Sequence, residues 1–250
     1  MAIVTLISDF GNKDYYVPAL KGNLLSSIPE VRIVDITNEI EPHDIIEAGF
    51  ILKNTFSSFP AGTIHICYVK NHEPDQHLIF TKYQDQYFIG PNNGIFSLVF
   101  DDDVSFYKLK DNVYMPFKEL GELIRSLISG EPIENIGLPC KQIKERIGLS
   151  PIVYTDQIRA SVIHTDRYGN LVLNVTGTLF EETRKGRRFK IYFKRLDPIT
   201  KISESYTDGN VGQPIALFNS SGHLVLAVNM SNASEDLNLK KEDIIQILFE

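Results

Sequence analysis

The sequence predicts an α/β domain with a mostly parallel sheet, followed by an all-β, barrel-like domain. Two observations lead to this fold class. Up to about residue 140, apolar runs typical of buried strands alternate with segments whose apolar residues recur at helical spacing. Beyond residue 150, short strand-like segments separated by turn sequences take over. We therefore expect an α/β domain at 1–140, a small all-β domain at 150–250 that is a barrel or a sandwich, and a linker at about 141–149.

The N-terminal elements follow from local patterns. A continuous apolar run at 3–7 is typical of a strand buried on both faces. Residues 15–28 carry apolar side chains at helical spacing, and Asp44 is placed to cap the next helix. Gln84-Asp85 separates two strands of a predicted hairpin. Strands are expected at 32–36, 63–69, 78–83, 86–89 and 104–109, and a last helix at 119–128 before Gly130.

Turn sequences separate the predicted strands of the C-terminal part. Arg167-Tyr168-Gly169-Asn170 and Asn219-Ser220-Ser221-Gly222 are typical turn sequences. Strands are expected at 160–164, 171–175, 189–193, 215–218, 224–229 and 244–249.

Composition excludes several classes of protein. The 250 residues are 43% hydrophobic and 23% charged, which is ordinary for a globular protein, and the net charge of −7 argues against nucleic acid as a partner. No apolar run approaches the ~20 residues that span a bilayer. The start of the chain lacks a basic segment, so we expect no signal peptide and a cytoplasmic protein. Cys67 and Cys140 are expected to be free thiols rather than a disulfide or a metal site.

Two carboxylates mark a candidate site. Asp9 ends the first predicted strand and Asp14 follows in the next loop, where ligands of open α/β sheets bind. This pair could bind hydroxyls, an amine or a metal, although no other metal-ligand spacing is nearby and we expect no metal. The alternatives are an Asx-turn for Asp9 and a helix cap for Asp14. For Asp166 and the 219–222 segment, a plain turn is the first interpretation.

An ordered set of motifs carries a family resemblance. The chain contains Ser8-Asp9-Phe10-Gly11, Asp14, Lys21-Gly22, Asp35-Ile36-Thr37, Pro42-His43-Asp44, Gly90-Pro91-Asn92-Asn93-Gly94, Asp166-Arg167-Tyr168-Gly169-Asn170 and Asn219-Ser220-Ser221-Gly222. In this order they resemble the S-adenosylmethionine (SAM) hydroxide adenosyltransferases, relatives of the fluorinases and chlorinases. The resemblance covers almost the whole chain.

The resemblance implies a fold, an assembly and a reaction. Family members have an N-terminal α/β domain and a C-terminal β-barrel, and form homotrimers with ligand between the N-domain of one subunit and the C-domain of the next. They attack C5′ of SAM with water or halide and expel methionine, and SAM serves as substrate with no further cofactor.

Residue roles are implied by the same motifs. Asp9 would bind the ribose hydroxyls, and Asp14 and Asp166 the methionine ammonium. Ser220 would bind the methionine carboxylate and Asn170 the adenine. A carboxylate that accepts hydrogen bonds from a diol or an ammonium suits these roles, because charge-assisted bonds are the stronger ones.

The chain departs from the family at the residues that organise the attacking water. Lys70, His77 and Leu109 stand where the hydrolytic members are thought to use an Asp, an Arg and a His. Lys70 could hold an anion, or the region could be a polar surface loop. A substitute acid–base set could come from His72, Glu73, Asp75 and His77.

These departures leave three functions open. The leading hypothesis is an enzyme that cleaves SAM with water to adenosine and L-methionine. One alternative is a catalytically degenerate protein that binds SAM or adenosine. The other is a relative that uses a different nucleophile or nucleoside.

Overall fold

The computed structural model describes residues 2–70, 77–100, 104–109, 117–145, 150–194 and 197–250. The chain divides into two compact units, Met1–Gly148 and Leu149–Glu250. Each unit has its own sheet.

Strands and helices alternate in the first unit. Its strands are β1 (Ile3–Ser8), β2 (Arg32–Thr37), β3 (Ile64–Tyr68), β4 (Leu78–Tyr83), β5 (Gln86–Pro91), β6 (Phe106–Lys108) and β7 (Leu138–Cys140). Its helices are α1 (Tyr16–Ser27), α2 (Ile45–Thr55), α3 (Phe96–Val99), α4 (Phe117–Ile128) and α5 (Ile133–Ile136).

The first sheet is mixed, with the strand order β2-β1-β3-β5-β4-β6-β7. The pairs β1–β2, β1–β3 and β3–β5 are parallel, and the pairs β4–β5, β4–β6 and β6–β7 are antiparallel. The prediction of a mostly parallel sheet is therefore wrong. The predicted hairpin at Gln84-Asp85 is confirmed and supplies the reason. Both residues have left-handed backbones, with φ of 47° and 58°, so the chain turns back tightly instead of crossing over through a helix.

Two predicted helix signals are confirmed. Asp44 Oδ1 accepts the backbone N–H groups of Ile46 and Glu47, at 3.1 and 2.9 Å, and so caps α2. Gly130, with φ of 79°, follows the end of α4 and donates its N–H to the Leu127 carbonyl.

Helices cover both faces of β1. Val4 and Leu6 pack in one apolar cluster with Leu20 of α1, whereas Ile7 packs in another with Leu52 of α2. All five side chains are at most 1% exposed. Burial on two faces explains why this strand is a continuous apolar run.

The second unit is antiparallel, with the strand order β11-β14-β9-β10-β13-β12 and β8 paired to β9. Its strands are β8 (Ile152–Val153), β9 (Gln157–Thr165), β10 (Leu171–Thr176), β11 (Phe189–Tyr192), β12 (Pro214–Phe218), β13 (His223–Val228) and β14 (Ile244–Phe249). Among the described residues, β11 and β12 are the outer strands of this hydrogen-bonded path.

The second unit also contains helices α6 (Gly177–Arg184) and α7 (Ala233–Asp236), so the prediction of an all-β domain is wrong in this respect. The Thr176 side chain caps α6 by accepting the N–H of Leu179. Phe180, which is fully buried, makes edge contacts with three aromatic rings at Phe189, Phe218 and Phe249. This packing stabilises a short helix that local periodicity does not signal.

Candidate functional site

Four polar residues of the first unit lie at one edge of its sheet. β1, β3 and β5 are mutually parallel, so their carboxyl ends meet at the same edge. Asp9 follows β1, Lys70 lies just beyond β3, and Asn93 lies just beyond β5. β4 runs the opposite way, so His77, which precedes it, returns to this edge as well. This is the edge at which α/β sheets bind ligands.

Asp9 is held by two distant loops. Its side chain is 5% exposed, and its Oδ2 accepts the backbone N–H groups of His43 at 2.9 Å and Lys70 at 3.1 Å. The His43 Nδ1 atom lies 3.8 Å from the same oxygen. Because these partners are long-range, the local Asx-turn alternative for Asp9 is wrong. Asp9 Oδ1 accepts no hydrogen bond from the described residues and can accept from a ligand.

Asn38 links the residues on either side of Asp9. The Ser8 hydroxyl donates to Asn38 Oδ1 at 2.7 Å, and the Gly11 N–H donates to the Asn38 carbonyl at 2.7 Å. Asn38 is 3% exposed. The rim on both sides of the carboxylate is therefore tied to the loop that follows β2.

Cys67 lies in the strand beside this carboxylate. It is a free, fully buried thiol, and burial, reinforced by the negative charge of Asp9, raises its pKa. The thiol therefore stays protonated and is not a nucleophile. Cys140 is also a free thiol, as predicted.

Asp14 is exposed in the loop between β1 and α1. The N-cap residue of α1 is Tyr15, which has no side-chain cap, so the helix-cap alternative for Asp14 is wrong. The Tyr15 and Tyr16 rings stack with their centroids 4.5 Å apart, and the ring centroids of Phe10 and Tyr16 lie 5.5 Å apart. Asp14 is thus a solvent-facing carboxylate beside an aromatic group of side chains.

Lys70 and His77 lie on the same edge but not side by side. The Lys70 N–H binds Asp9, whereas the His77 carbonyl accepts the Asn92 N–H at 2.9 Å. The strand order places two strand spacings, about 10 Å, between the positions of β3 and β4. The other members of the suggested acid–base set, His72, Glu73 and Asp75, lie outside the described residues. Leu109 packs against the apolar cluster beneath α4.

In the second unit, Asp166 and Asn170 form one hydrogen-bonded loop. Asp166 Oδ1 accepts the N–H groups of Tyr168 and Asn170, both at 2.9 Å, and its Oδ2 accepts Asn170 Nδ2 at 2.9 Å. Gly169 has φ of 82°, and a Cβ there would lie 1.9 Å from Asn232 Oδ1. The turn interpretation is confirmed, and the same turn fixes both side chains.

This loop borders a cavity of about 550 Å³. Its lining includes Asp166, Tyr168, Asn170, Tyr206, Asn229 and Met230. Tyr168 is 78% and Met230 83% exposed, so large apolar side chains face solvent around a few polar groups, as in small-molecule sites. Burial, and next the negative charge of Asp166, raise the pKa of Tyr206. Sequence reasoning missed Tyr206 and Met230, because each stands alone among turn residues.

Ser220 lies elsewhere in the second unit. It is exposed at the turn between β12 and β13, where Asn219 Oδ1 accepts the N–H groups of Ser221 and His223. The cavity lies at the other end of β13, about 17 Å away by the rise of a strand. The structure brings Asp166 and Asn170 together, but not Ser220.

Across the described ranges, no group of three or more His, Cys, Asp or Glu side chains is arranged to hold a metal ion. No helix in the same ranges is long and apolar enough to cross a membrane.

Comparisons with known proteins identify the fold and then the family. The crystal structure of an uncharacterized conserved protein from Thermotoga maritima matches with a TM-score of 0.85 and 23% identity, covering 99% of this chain and 100% of that one. The model of the SAM hydroxide adenosyltransferase N-terminal domain matches residues 4–120, and that of the C-terminal domain matches residues 160–246. The chain therefore belongs to the SAM hydroxide adenosyltransferase family.

Two relatives match nearly end to end. The (R)-S-adenosyl-L-methionine hydrolase of Methanocaldococcus jannaschii is 27% identical over 262 residues, covering 99% of this chain and 96% of the relative. A fluorinase of Actinoplanes sp. is 24% identical over 281 residues, covering 95% and 94%.

Proposed function

We propose that the protein hydrolyses SAM at C5′ to adenosine and L-methionine. The observation that carries this is the Asp9 carboxylate, buried at the ligand edge of the sheet with one oxygen bound by two backbone N–H groups. Its other oxygen accepts no bond from the described residues. Membership of the family, and a relative named SAM hydrolase at 27% identity, support the same reaction.

The polar groups suit the parts of SAM. Asp9 Oδ1 accepts hydrogen bonds from the ribose hydroxyls, and charge makes those bonds strong. Asp14, exposed beside Tyr15 and Tyr16, binds the methionine ammonium. Asp166 is a second candidate for this cation.

The cavity of the second unit suits adenine. Tyr168 and Tyr206 offer aromatic faces, on which a base stacks. Asn170 offers an amide for the adenine edge. Ser220, at the exposed turn, is the candidate for the methionine carboxylate.

The reaction requires little covalent help from the protein. The water oxygen forms a bond to C5′ as the C5′–S bond breaks. The electron pair of the broken C5′–S bond stays on sulfur, and methionine leaves as a neutral thioether. The proton lost by water passes to a base or to solvent. Catalysis then depends on holding water in line with the C5′–S bond and partly desolvated. Lys70 and His77, at this edge of the sheet, are the candidate residues for holding the attacking water.

Three further expectations belong to the proposal. The family resemblance alone implies a homotrimer with ligand between the first unit of one subunit and the second unit of the next. A closed barrel in the second unit follows from the strand pattern and the resemblance, and a cytoplasmic location from the sequence at the start of the chain and the two cysteines.

The test is incubation with SAM followed by chromatography. We expect adenosine and methionine in equal amounts, and no product from the Asp9→Ala/Asp14→Ala variant. An amount of adenosine no greater than that of this variant overturns hydrolysis.

A binding function is the second candidate. The replacements Lys70, His77 and Leu109 favour it, because Leu109 packs against the core where the family carries a water-organising His. It predicts heat of binding for SAM or adenosine by calorimetry without turnover. The absence of heat for both ligands would count against it.

A different nucleophile is the third candidate, favoured by the presence of a Lys at position 70, whose backbone N–H binds Asp9 at the predicted ribose site. Incubating SAM with chloride, other halides or thiols should then give new 5′-substituted adenosines. If none of these compounds forms, this version is wrong.

A further inference from the structure

Two strained backbone positions converge on Asp9. His43 has φ of 69° and Lys70 has φ of 51°, in the left-handed backbone region that residues other than glycine rarely adopt. The N–H groups of these same two residues donate to Asp9 Oδ2. Strained backbone persists where the surrounding contacts enforce it, and it clusters at functional sites.

The peptide group between Val69 and Lys70 is hydrogen-bonded through both its N–H and its carbonyl. Its N–H donates to Asp9 Oδ2 at 3.1 Å, and its carbonyl accepts Asn93 Nδ2 at 2.7 Å. Because a peptide group is planar, the orientation of the carbonyl fixes that of the N–H. A half-turn of this peptide would return Lys70 to an extended φ but would break both hydrogen bonds.

Asn93 is itself fixed. It is 1% exposed, and its Oδ1 accepts the N–H of Ile95 at 3.0 Å at the start of α3. The acceptor oxygen is therefore committed, and the amide nitrogen must face Val69. The hydrogen bond to the carbonyl also polarises the peptide and strengthens its N–H as a donor.

We propose that Asn93 is a positioning residue for the ligand-binding carboxylate. It holds the Val69–Lys70 peptide in its strained orientation, so that Lys70 N–H ties Oδ2 of Asp9 and Oδ1 stays available to the ribose. The role of the ribose rests on the proposed function.

The primary test is Asn93→Asp, which keeps the shape and the acceptor for Ile95 but removes the donor to Val69. We expect the affinity for adenosine, measured by calorimetry, to fall at least 10-fold. The KM for SAM should rise by a similar factor, with kcat changed less than threefold, because ribose binding serves substrate and transition state alike.

Thr81→Val is the matched control. Thr81 is 1% exposed and donates to the Ser105 carbonyl at 2.7 Å, so the variant also loses one buried hydrogen bond of the first unit, without contact to Asp9. We expect a lower Tm and an adenosine affinity within twofold of the wild type. Equal losses of affinity in both variants would show a merely structural role and overturn the proposal.

A second comparison uses the strain itself. Glycine adopts a left-handed backbone at no steric cost, so in the Lys70→Gly background the peptide keeps its orientation with less help from Asn93. There Asn93→Asp should weaken adenosine binding less than threefold. Affinity is the readout because Lys70 is a catalytic candidate. An equal fold-loss in the two backgrounds contradicts the proposal.

Hydrogen exchange of the Lys70 amide separates this inference from the proposed function. Exchange should become at least 10-fold faster in Asn93→Asp and stay unchanged in Thr81→Val. If the wild type binds neither adenosine nor SAM, the proposed function fails, and unchanged Lys70 exchange would independently overturn the role of Asn93. Faster exchange with unchanged adenosine affinity would also overturn it.

Discussion

The His65 Nε2 atom lies 2.7 Å from Gln86 Oε1 in the interior of the first unit. Because Gln86 Nε2 donates to the Phe59 carbonyl, its Oε1 is the acceptor and the His65 Nε2 carries the proton. The Nδ1 atom then accepts from the Thr5 hydroxyl at 2.7 Å. The neutral imidazole is thus fully hydrogen-bonded, and burial lowers its pKa against the smaller, opposite effect of the Gln86 bond.

Stability should fall in acid because of His65. Its pKa in the folded protein lies below the ordinary value of 6.5, so below pH 6.5 the unfolded chain takes up a proton that the folded protein does not. The contribution of neutral His65 to the free energy of unfolding is fully present above pH 6.5. It is lost on acidification, by up to about 1.4 kcal/mol per pH unit. Urea unfolding between pH 5 and 7.5 measures it. His65→Gln should flatten the dependence, and an identical slope in both proteins would contradict this origin.

Asp9→Asn should separate charge from shape. The amide oxygen can still accept from His43 and Lys70, so the fold should persist. Loss of the charged hydrogen bonds to ribose, worth about 1.5–3 kcal/mol, should weaken adenosine binding about 10- to 150-fold. Calorimetry measures the affinity and circular dichroism checks the fold. Wild-type affinity in a folded variant would exclude Asp9 from the site.

Gly169→Ala should damage the Asp166 loop. The backbone there is left-handed, and the new Cβ would collide with Asn232 Oδ1. We expect a loss of about 1–3 kcal/mol in the free energy of unfolding, together with weaker adenosine binding. Gly186→Ala is the control, because Gly186 has φ of 78° with open space around its Cβ position. Equal effects on binding in the two variants would argue against a collision at the loop.

Tyr206→Ala should remove one aromatic face of the cavity. Base–aromatic stacking is worth about 1–3 kcal/mol, so adenosine affinity should fall about 5- to 150-fold. Tyr206→Phe, which keeps the ring, should stay within a few-fold of the wild type. Should both variants bind like the wild type, adenine does not stack on Tyr206.

Local features of the fold were predictable where a few adjacent residues determine them. The apolar run of β1, the Asp44 cap and the Gln84-Asp85 turn all follow from their own sequence. The helix α6 did not, because Phe180 is stabilised by rings from other parts of the chain. The antiparallel β4–β5 hairpin was predictable from its turn, but the antiparallel pairing of β4 with β6 was not, since it depends on tertiary structure.

The candidate site was predictable only where adjacent residues determine its parts. The position of Asp9 at a strand end follows from the chain order. Its partners do not, because His43 and Lys70 are 34 and 61 residues away. Tyr206 and Met230 reach the same cavity from separate turns, so no single stretch of sequence signals them.

The hairpin of β4 and β5 decides which edge of the sheet receives the residue that precedes β4. Since β4 runs against β3, Lys70, just after β3, and His77, just before β4, lie at the same edge as Asp9. A helical crossover to a parallel β4 would instead place His77 at the opposite edge. A single tight turn at Gln84-Asp85 therefore determines which side chains lie at the edge of the sheet that carries Asp9.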